Sequence, residues 1–199
     1  GRLLVLADGS WLLPFWRERA LLESEGEACG ALQGTESAGV LRSADGGATW
    51  QAHGRVAHRD TWLIENVLAE LSPGGAVLML FRSQLGHVFA SRSEDGGLTW
   101  AAAAMVEALP NPDSKLDVLR LSAPAAEEGA LVLAFNDHAF VRDELRLAVS
   151  RDGGETWQRA AAVEDAKGEA RLLHLHYPSL LQVGCELLVV YSRFYGRGG

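Results

Sequence analysis

The sequence predicts an all-β repeat fold built from four-stranded antiparallel units, and three observations carry that reading. One eight-residue pattern, Ser-x-Asp-Gly-Gly-x-Thr-Trp, occurs at Ser43 to Trp50, Ser93 to Trp100 and Ser150 to Trp157. Its roughly 50-residue period is that of a repeat whose unit is one supersecondary structure. Between the copies lie short apolar runs bounded by Gly, Pro, Asn, Asp and Ser, the signature of strands and turns. No sustained 3.6-residue apolar period accompanies the abundant Ala and Leu, so a stretch such as Ala101 to Ala108 reads as composition bias rather than helix.

Each copy of the pattern reads as a tight turn. Asp45, Asp95 and Asp152 can accept hydrogen bonds from backbone N–H groups two residues on, and the Gly-Gly pairs containing Gly47, Gly97 and Gly154 supply positive φ. Trp50, Trp100 and Trp157 then open the returning strand with a large apolar side chain that can wedge against the neighbouring unit. Six of the eight positions recur at the same offsets, including the leading Ser43, Ser93 and Ser150, which excludes coincidence.

Counting strands gives the units in order. The first runs through Leu3 to Ala7, Trp11 to Trp16, a longer loop through Thr35, and Gly39 to Arg42 before its turn. In the second, Glu65 to Leu71, Ala76 to Phe81 and His87 to Arg92 are separated by Ser72-Pro73-Gly74-Gly75 and by Ser83 to Gly86, with a last strand beginning near Leu98. The third holds Leu116 to Leu121, Ala130 to Phe135, a loop through Asp143, and Leu145 to Val149. A fourth supplies Leu175 to Gln182 and Leu187 to Arg193. The expected boundaries are approximately 1–58, 59–108, 109–165 and an incomplete 166–199.

Composition narrows the function. A net charge of −8 over 199 residues argues against nucleic acid or an anionic membrane surface as partner. No run of 18 or more apolar residues occurs, so no membrane-spanning helix is expected. Cys29 and Cys185 are too few and too far apart for a disulfide framework or metal site, and both read as buried or incidental. His174 and His176 alternate in a strand-like segment without further ligands at metal spacing, and no cofactor is expected. The chain opens directly on a strand and ends in Gly-Arg-Gly-Gly, so it reads as a piece of a longer protein.

In such a unit the start of strand one, the end of strand two and the start of strand three share one face, and the repeated turn lies on the other. Glu65, Arg82, Arg142 and Tyr177 all fall on the first of these faces, from three consecutive units.

The repeated turn is the Asp-box, and the chain resembles the Asp-box β-propellers whose main enzymatic family is the sialidases. The resemblance covers nearly the whole chain and implies a six-bladed propeller of sialidase type, of which about three and a half four-stranded blades are present. A closed propeller of that kind would need roughly 300 residues. In that family the box is structural and lies away from the active site. The segment Glu65-Asn66-x-x-x-Glu70-Leu71, followed by Gly74-Gly75 and an apolar strand ending in Arg82, looks like the part that supplies the glutamate and second arginine. Arg142, eight residues before the Ser of its box, matches the third arginine, and Tyr177 in His176-Tyr177-Pro178-Ser179-Leu180 sits where sialidases carry their tyrosine nucleophile. Trp62, Asn136 and His138 lie on the same expected face and would line the pocket.

What the resemblance implies is retaining cleavage of a terminal sialic or related acidic sugar. Paired guanidinium groups on Arg82 and Arg142 suit a carboxylate, which Lys cannot grip in the same planar way. An anionic nucleophile would be repelled by that carboxylate, and sialidases use Tyr instead. Tyr177 would attack, and Glu65 would take its proton. Glu70 is a weaker alternative to Glu65, because period-two alternation points it to the opposite side. The family's first arginine, in an Arg-Ile-Pro motif, and its acid/base aspartate belong to the first two blades and have no counterpart here; Asp60 and Asp117 belong to later blades and do not fill that role.

Two further classes stay open: a non-catalytic propeller that binds glycans or proteins, and a structural Asp-box propeller, which has no reason to converge two Arg, a Glu and a Tyr. The full-length gene is expected to encode an Arg-Ile-Pro-like motif and a loop Asp upstream of this sequence. Reading that upstream sequence checks it, and absence of both removes the hydrolase reading.

Overall fold

A computed structural model describes residues 1–18, 36–72, 75–125, 127–166 and 173–195, and every regular element among them is a strand. The first sheet pairs β1 (Leu4–Val5), β2 (Trp11–Arg17), β3 (Ser37–Ser43) and β4 (Gln51–Val56) in sequence order. The second pairs β5 (Ile64–Glu70), β6 (Val77–Arg82), β7 (His87–Ser93) and β8 (Ala104–Pro110), and the third β9 (Asp117–Arg120), β10 (Leu131–Asn136), β11 (Glu144–Ser150) and β12 (Gln158–Asp165). A two-stranded pair, β13 (Leu173–Val183) with β14 (Glu186–Tyr195), follows. All pairings are antiparallel, and the sheets stand in a row that does not close, as in a partial propeller.

Burial explains the sequence of each strand. β6 and β10 are central strands with a neighbouring sheet on each face, so VLMLF and LVLAF are continuous apolar runs rather than alternating ones. β12 is an outer strand, and its QRAAAVED is small, polar and mostly exposed. Leu6, Leu12, Val40, Met79, Phe81 and Phe89 interlock the first and second sheets, and Leu78, Leu80, Leu116, Leu133 and Phe135 do the same for the second and third. Ala134 and Leu180 lie between the third sheet and the β13–β14 pair, joined by partly buried Val149, Leu187 and Val189.

The first strands β1, β5 and β9 line a shared cavity of about 320 Å3. Arg2 enters it and donates to the carbonyls of Leu180 at 2.6 Å and Val118 at 2.8 Å, tying the segment before β1 to β13 and β9.

The Asp-box turns are built alike. Ser43 Oγ donates to Asp45 Oδ1 at 2.7 Å and accepts the Gly47 N–H at 2.9 Å; Asp45 then accepts both the N–H and the hydroxyl of Thr49. The same bonds recur at Ser93, Asp95 and Thr99 and at Ser150, Asp152 and Thr156. The Asp therefore reaches four residues on, not two, because the turn is wide enough to hold the Thr as well as the glycines. Hydrogen bonds from Thr49 and Thr99, through hydroxyl and N–H, depress Asp45 and Asp95 to about 2. Each Trp donates its Nε1 to the carbonyl of the second Gly of its own turn.

Two of these turns also join the sheets. Trp100 lies against Gly54 of β4, where a Cβ would come within 2.8 Å of the indole, and Trp157 is buried in the core between the second and third sheets. Trp50 is exposed. Arg42 Nε reaches the Gly96 carbonyl at 3.2 Å and Arg92 Nη2 the Gly153 carbonyl at 2.7 Å, so the residue before one box latches the box of the next sheet. At the third box that position is Val149.

Two expectations change. The second sheet's last strand is Ala104–Pro110 rather than one starting near Leu98, because Leu98 and Thr99 are held in the turn by Asp95. Cys185 is exposed in the turn between β13 and β14, not buried. Cys29 lies outside the described residues. No helix among the described residues is long and apolar enough to cross a membrane.

A Cβ on Gly154 would stand 2.7 Å from Leu78 Cδ2 at a φ of +89°, whereas one on Gly9 at φ +85° would meet nothing within 4 Å. Gly154→Ala is expected to cost about 2–3 kcal/mol, against about 1 for Gly9→Ala, in denaturant titrations of the two variants. Equal losses would deny the box its packing role.

Candidate active site

Opposite the boxes, the ends of three sheets converge. Glu65 opens β5 at a register shift between Ile64 and Val67, and Tyr177 sits at the matching shift between His176 and Ser179 in β13. Such irregularities re-aim a side chain away from the strand's alternation. Among the described residues three non-glycine positions have positive φ: Glu65 at 51°, Asp113 at 50° and Tyr177 at 52°. All three fall at this mouth, Asp113 just before β9 and Glu65 and Tyr177 at the register shifts within β5 and β13. Left-handed backbone in non-glycine residues persists only where the surroundings enforce it, and it concentrates at functional sites.

The side chains form a continuous polar chain. Arg82, at the end of β6, donates Nη1 to Glu65 Oε2 at 2.9 Å and Nε to Asp113 Oδ1 at 2.7 Å. Arg142, in the loop between β10 and β11, donates Nη2 to the Asp113 carbonyl and makes a 2.7 Å bond from Nη1 to His176 Nδ1. The Arg142 carbonyl accepts the N–H of Leu175, which fixes its loop to β13. The Arg82 and Glu65 side chains are only 15% and 12% exposed, while Tyr177 is 48% exposed at the opening.

The electrostatics follow from this packing. Burial opposes the charge on Arg82, but hydrogen bonds to Asp113 and Glu65 outweigh it and raise its pKa. Arg142 is pushed down by burial and by the nearby charge of Arg82. His176 is lowered, first by burial and then by Arg142. Its Nδ1 faces a guanidinium donor, so the bond needs the neutral ring with its proton on Nε2.

The structure thus brings together Glu65, Arg82, Arg142 and Tyr177. It separates the other expected pocket residues. Asn136 is fully buried beneath the mouth, accepting from Ser114 Oγ at 2.7 Å and donating to the Leu175 carbonyl at 3.2 Å, so it braces the site rather than lining it. The His138 ring accepts the N–H groups of Phe140 and Val141 and shapes their loop. Trp62 lines a different cavity, of about 600 Å3, with His58, Asp60 and Gln84. Glu70, at the far end of β5, accepts the Ala7 N–H. Asp60 pairs with exposed Arg59, and buried Asp117 accepts the Leu180 N–H.

Sequence reasoning missed Asp113 and His176. The Asn111-Pro112-Asp113-Ser114 turn was a usable signal, because Asp tolerates left-handed backbone better than most residues. His176 was visible as a neighbour of Tyr177 and as one of two alternating histidines without metal spacing, neither of which points to an arginine partner.

The BNR repeat-like domain family matches residues 1–189 of the chain. The chain belongs to that family. This BNR repeat-like domain shares its fold with solved sialidases. The Hadza microbial sialidase Hz136 superposes with a TM-score of 0.70 at 20% identity, over 95% of this chain and 34% of that one. The Trypanosoma rangeli sialidase in complex with the inhibitor DANA gives 0.70 at 16% identity, over 95% and 28%. The K499G mutant of the NanB sialidase from Streptococcus pneumoniae gives 0.66 at 15%, over 91% and 25%. The domain therefore spans about a third or less of these proteins' lengths. No curated protein matches it in sequence.

Lowering the pH should protonate His176 only below its ordinary 6.5, since its depressed folded pKa places the neutral form's contribution above that value and removes it as pH falls further. An NMR titration of the ring is expected to show this, with the midpoint moving up in Arg142→Ala. An unchanged midpoint in that variant would separate the two groups.

Proposed function

We propose that this BNR repeat-like domain carries the nucleophile side of a retaining exo-sialidase-type hydrolase acting on a terminal sialic or related acidic sugar. The observation that supports it is the convergence of Glu65, Arg82, Arg142 and Tyr177 on one mouth, with Arg82 and Glu65 2.9 Å apart. Two guanidinium groups beside a half-exposed phenol suit a sugar with a carboxylate at its anomeric carbon.

In this reading Arg82 and Arg142 hold the substrate carboxylate, and Tyr177 Oη attacks the anomeric carbon while Glu65 takes the phenol proton. The carbon–oxygen bond to tyrosine forms as the glycosidic bond breaks, and the departing oxygen takes a proton from an acid outside this group of four. Water then attacks the anomeric carbon from the face opposite the tyrosine, giving its proton to the group outside these four that protonated the leaving oxygen, while the phenolate departs and recovers its proton from Glu65. The two inversions retain the anomeric configuration. Arg82 Nη1 donates to Glu65 Oε2 at 2.9 Å, which fixes the orientation of the carboxylate that would act as base.

One feature favours a second reading, a glycan-binding domain without turnover: Arg82 is already engaged by two of the protein's own carboxylates. The full-length protein carrying this sequence separates the two. Release of fluorophore from a fluorogenic α-sialoside is expected, with Tyr177→Phe slowing it at least about a hundredfold. Unchanged turnover in that variant would sink the assignment, and binding of the sialoside without turnover by the unaltered protein would favour the second reading.

A further inference from the structure

Arg82 and Arg142 present a physical difficulty that the proposed chemistry leaves open. Two guanidinium groups close enough that the charge of Arg82 works against that of Arg142 must be held together before any substrate arrives, and their repulsion opposes that. One residue touches both. Asp113 accepts Arg82 Nε on Oδ1 at 2.7 Å and Arg142 Nη2 on its main-chain carbonyl. Its φ of 50° turns the side chain and the carbonyl toward the two arginines, a conformation that extended backbone does not give. The segment behind it is fixed as well: Ser114 N–H donates to Asn111 Oδ1 at 2.8 Å, and Ser114 Oγ donates to buried Asn136.

We infer that Asp113 is a positioning residue that sets the two arginines in one arrangement for an anionic group, by bridging the end of β6 to the loop between β10 and β11. The inference deepens the proposed function and rests on its assignment of Arg82 and Arg142 as the anion clamp. Asp113 holds the guanidinium planes before binding, so the ordering cost does not fall on the substrate. Its negative charge also leaves the four charged groups, Arg82, Arg142, Glu65 and Asp113, with no net charge. Attraction for an anion then depends on fitting the donors in place rather than on excess positive charge. Arg82 keeps Nη2 for a ligand once Asp113 and Glu65 have taken Nε and Nη1.

Two variants isolate the role. Asp113→Gly accepts the positive φ and keeps the carbonyl to Arg142 but removes the partner of Arg82, and Asp113→Asn keeps an oxygen acceptor for Nε while removing the charge. In the full-length protein with 15N-labelled arginine, the Arg82 Nε–H signal, assigned through its loss in Arg82→Lys, should be protected from solvent exchange in the native protein and in Asp113→Asn. It should lose that protection in Asp113→Gly. An α-sialoside carboxylate ligand should bind at least about tenfold more weakly to Asp113→Gly, and at least as tightly to Asp113→Asn as to the native protein.

Retained Nε–H protection in Asp113→Gly would overturn the positioning role, and so would tighter sialoside binding by that variant, which would make Asp113 only a competitor for the clamp. If the native protein binds no sialoside, the sialidase reading fails, and the Nε–H measurement still decides whether Asp113 sets Arg82.

Discussion

Each four-stranded sheet has two apolar faces and can bury them only against other sheets, and the rest of the structure answers to that constraint. It makes the central strands β6 and β10 apolar on both sides. It also sets the chemistry of the turns. The second glycine of a box has no Cβ because a neighbouring side chain fills that space: Leu12 beside Gly97, and Leu78 beside Gly154. Arg42 and Arg92 add a polar latch at each of those junctions, reaching a carbonyl that the positive-φ turn leaves pointing outward. Apolar interlock fixes the separation of neighbouring sheets, and the latch fixes their register.

The site inherits its geometry from that stacking. Because successive sheets enter the array in the same orientation, the leads into their first strands arrive at one opening, and each can contribute a side chain to its neighbour's chemistry. Asp113 occupies such a lead, Glu65 and Tyr177 sit at irregularities in the first strands themselves, and Arg82 and Arg142 reach across between them. The Arg82–Asp113 ion pair crosses from the second sheet to the third, so that shifting one of these sheets by a residue would break it. Structural regularity on the box side and strained backbone on the other are two ends of the same strands.

The fold was legible because its signal is local. Ser43, Asp45, Gly47 and Trp50 bond mainly to one another, so their pattern survives in sequence without knowledge of anything distant. Alternation of strand direction then carried Glu65, Arg82, Arg142 and Tyr177 to one face. Asn136 resisted the same argument, because a polar residue at a strand end reads alike whether it faces solvent or braces a loop from beneath; only the partners Ser114 and Leu175 decide. Asp113 was hidden for a related reason. Its partners lie 31 and 29 residues away, and its orientation comes from a φ that no side-chain pattern announces.

Arg2 bears on the order in which the molecule can be assembled. Within each sheet the strands pair with their sequence neighbours, and such short-range closures form early in a folding reaction. Arg2 instead waits for carbonyls 116 and 178 positions further along the chain. A growing chain emerging from the ribosome would complete the three four-stranded sheets before Leu180 exists as a partner, so this contact is made only after all three have formed. The staple across the inner cavity is therefore a sign that synthesis has passed β13.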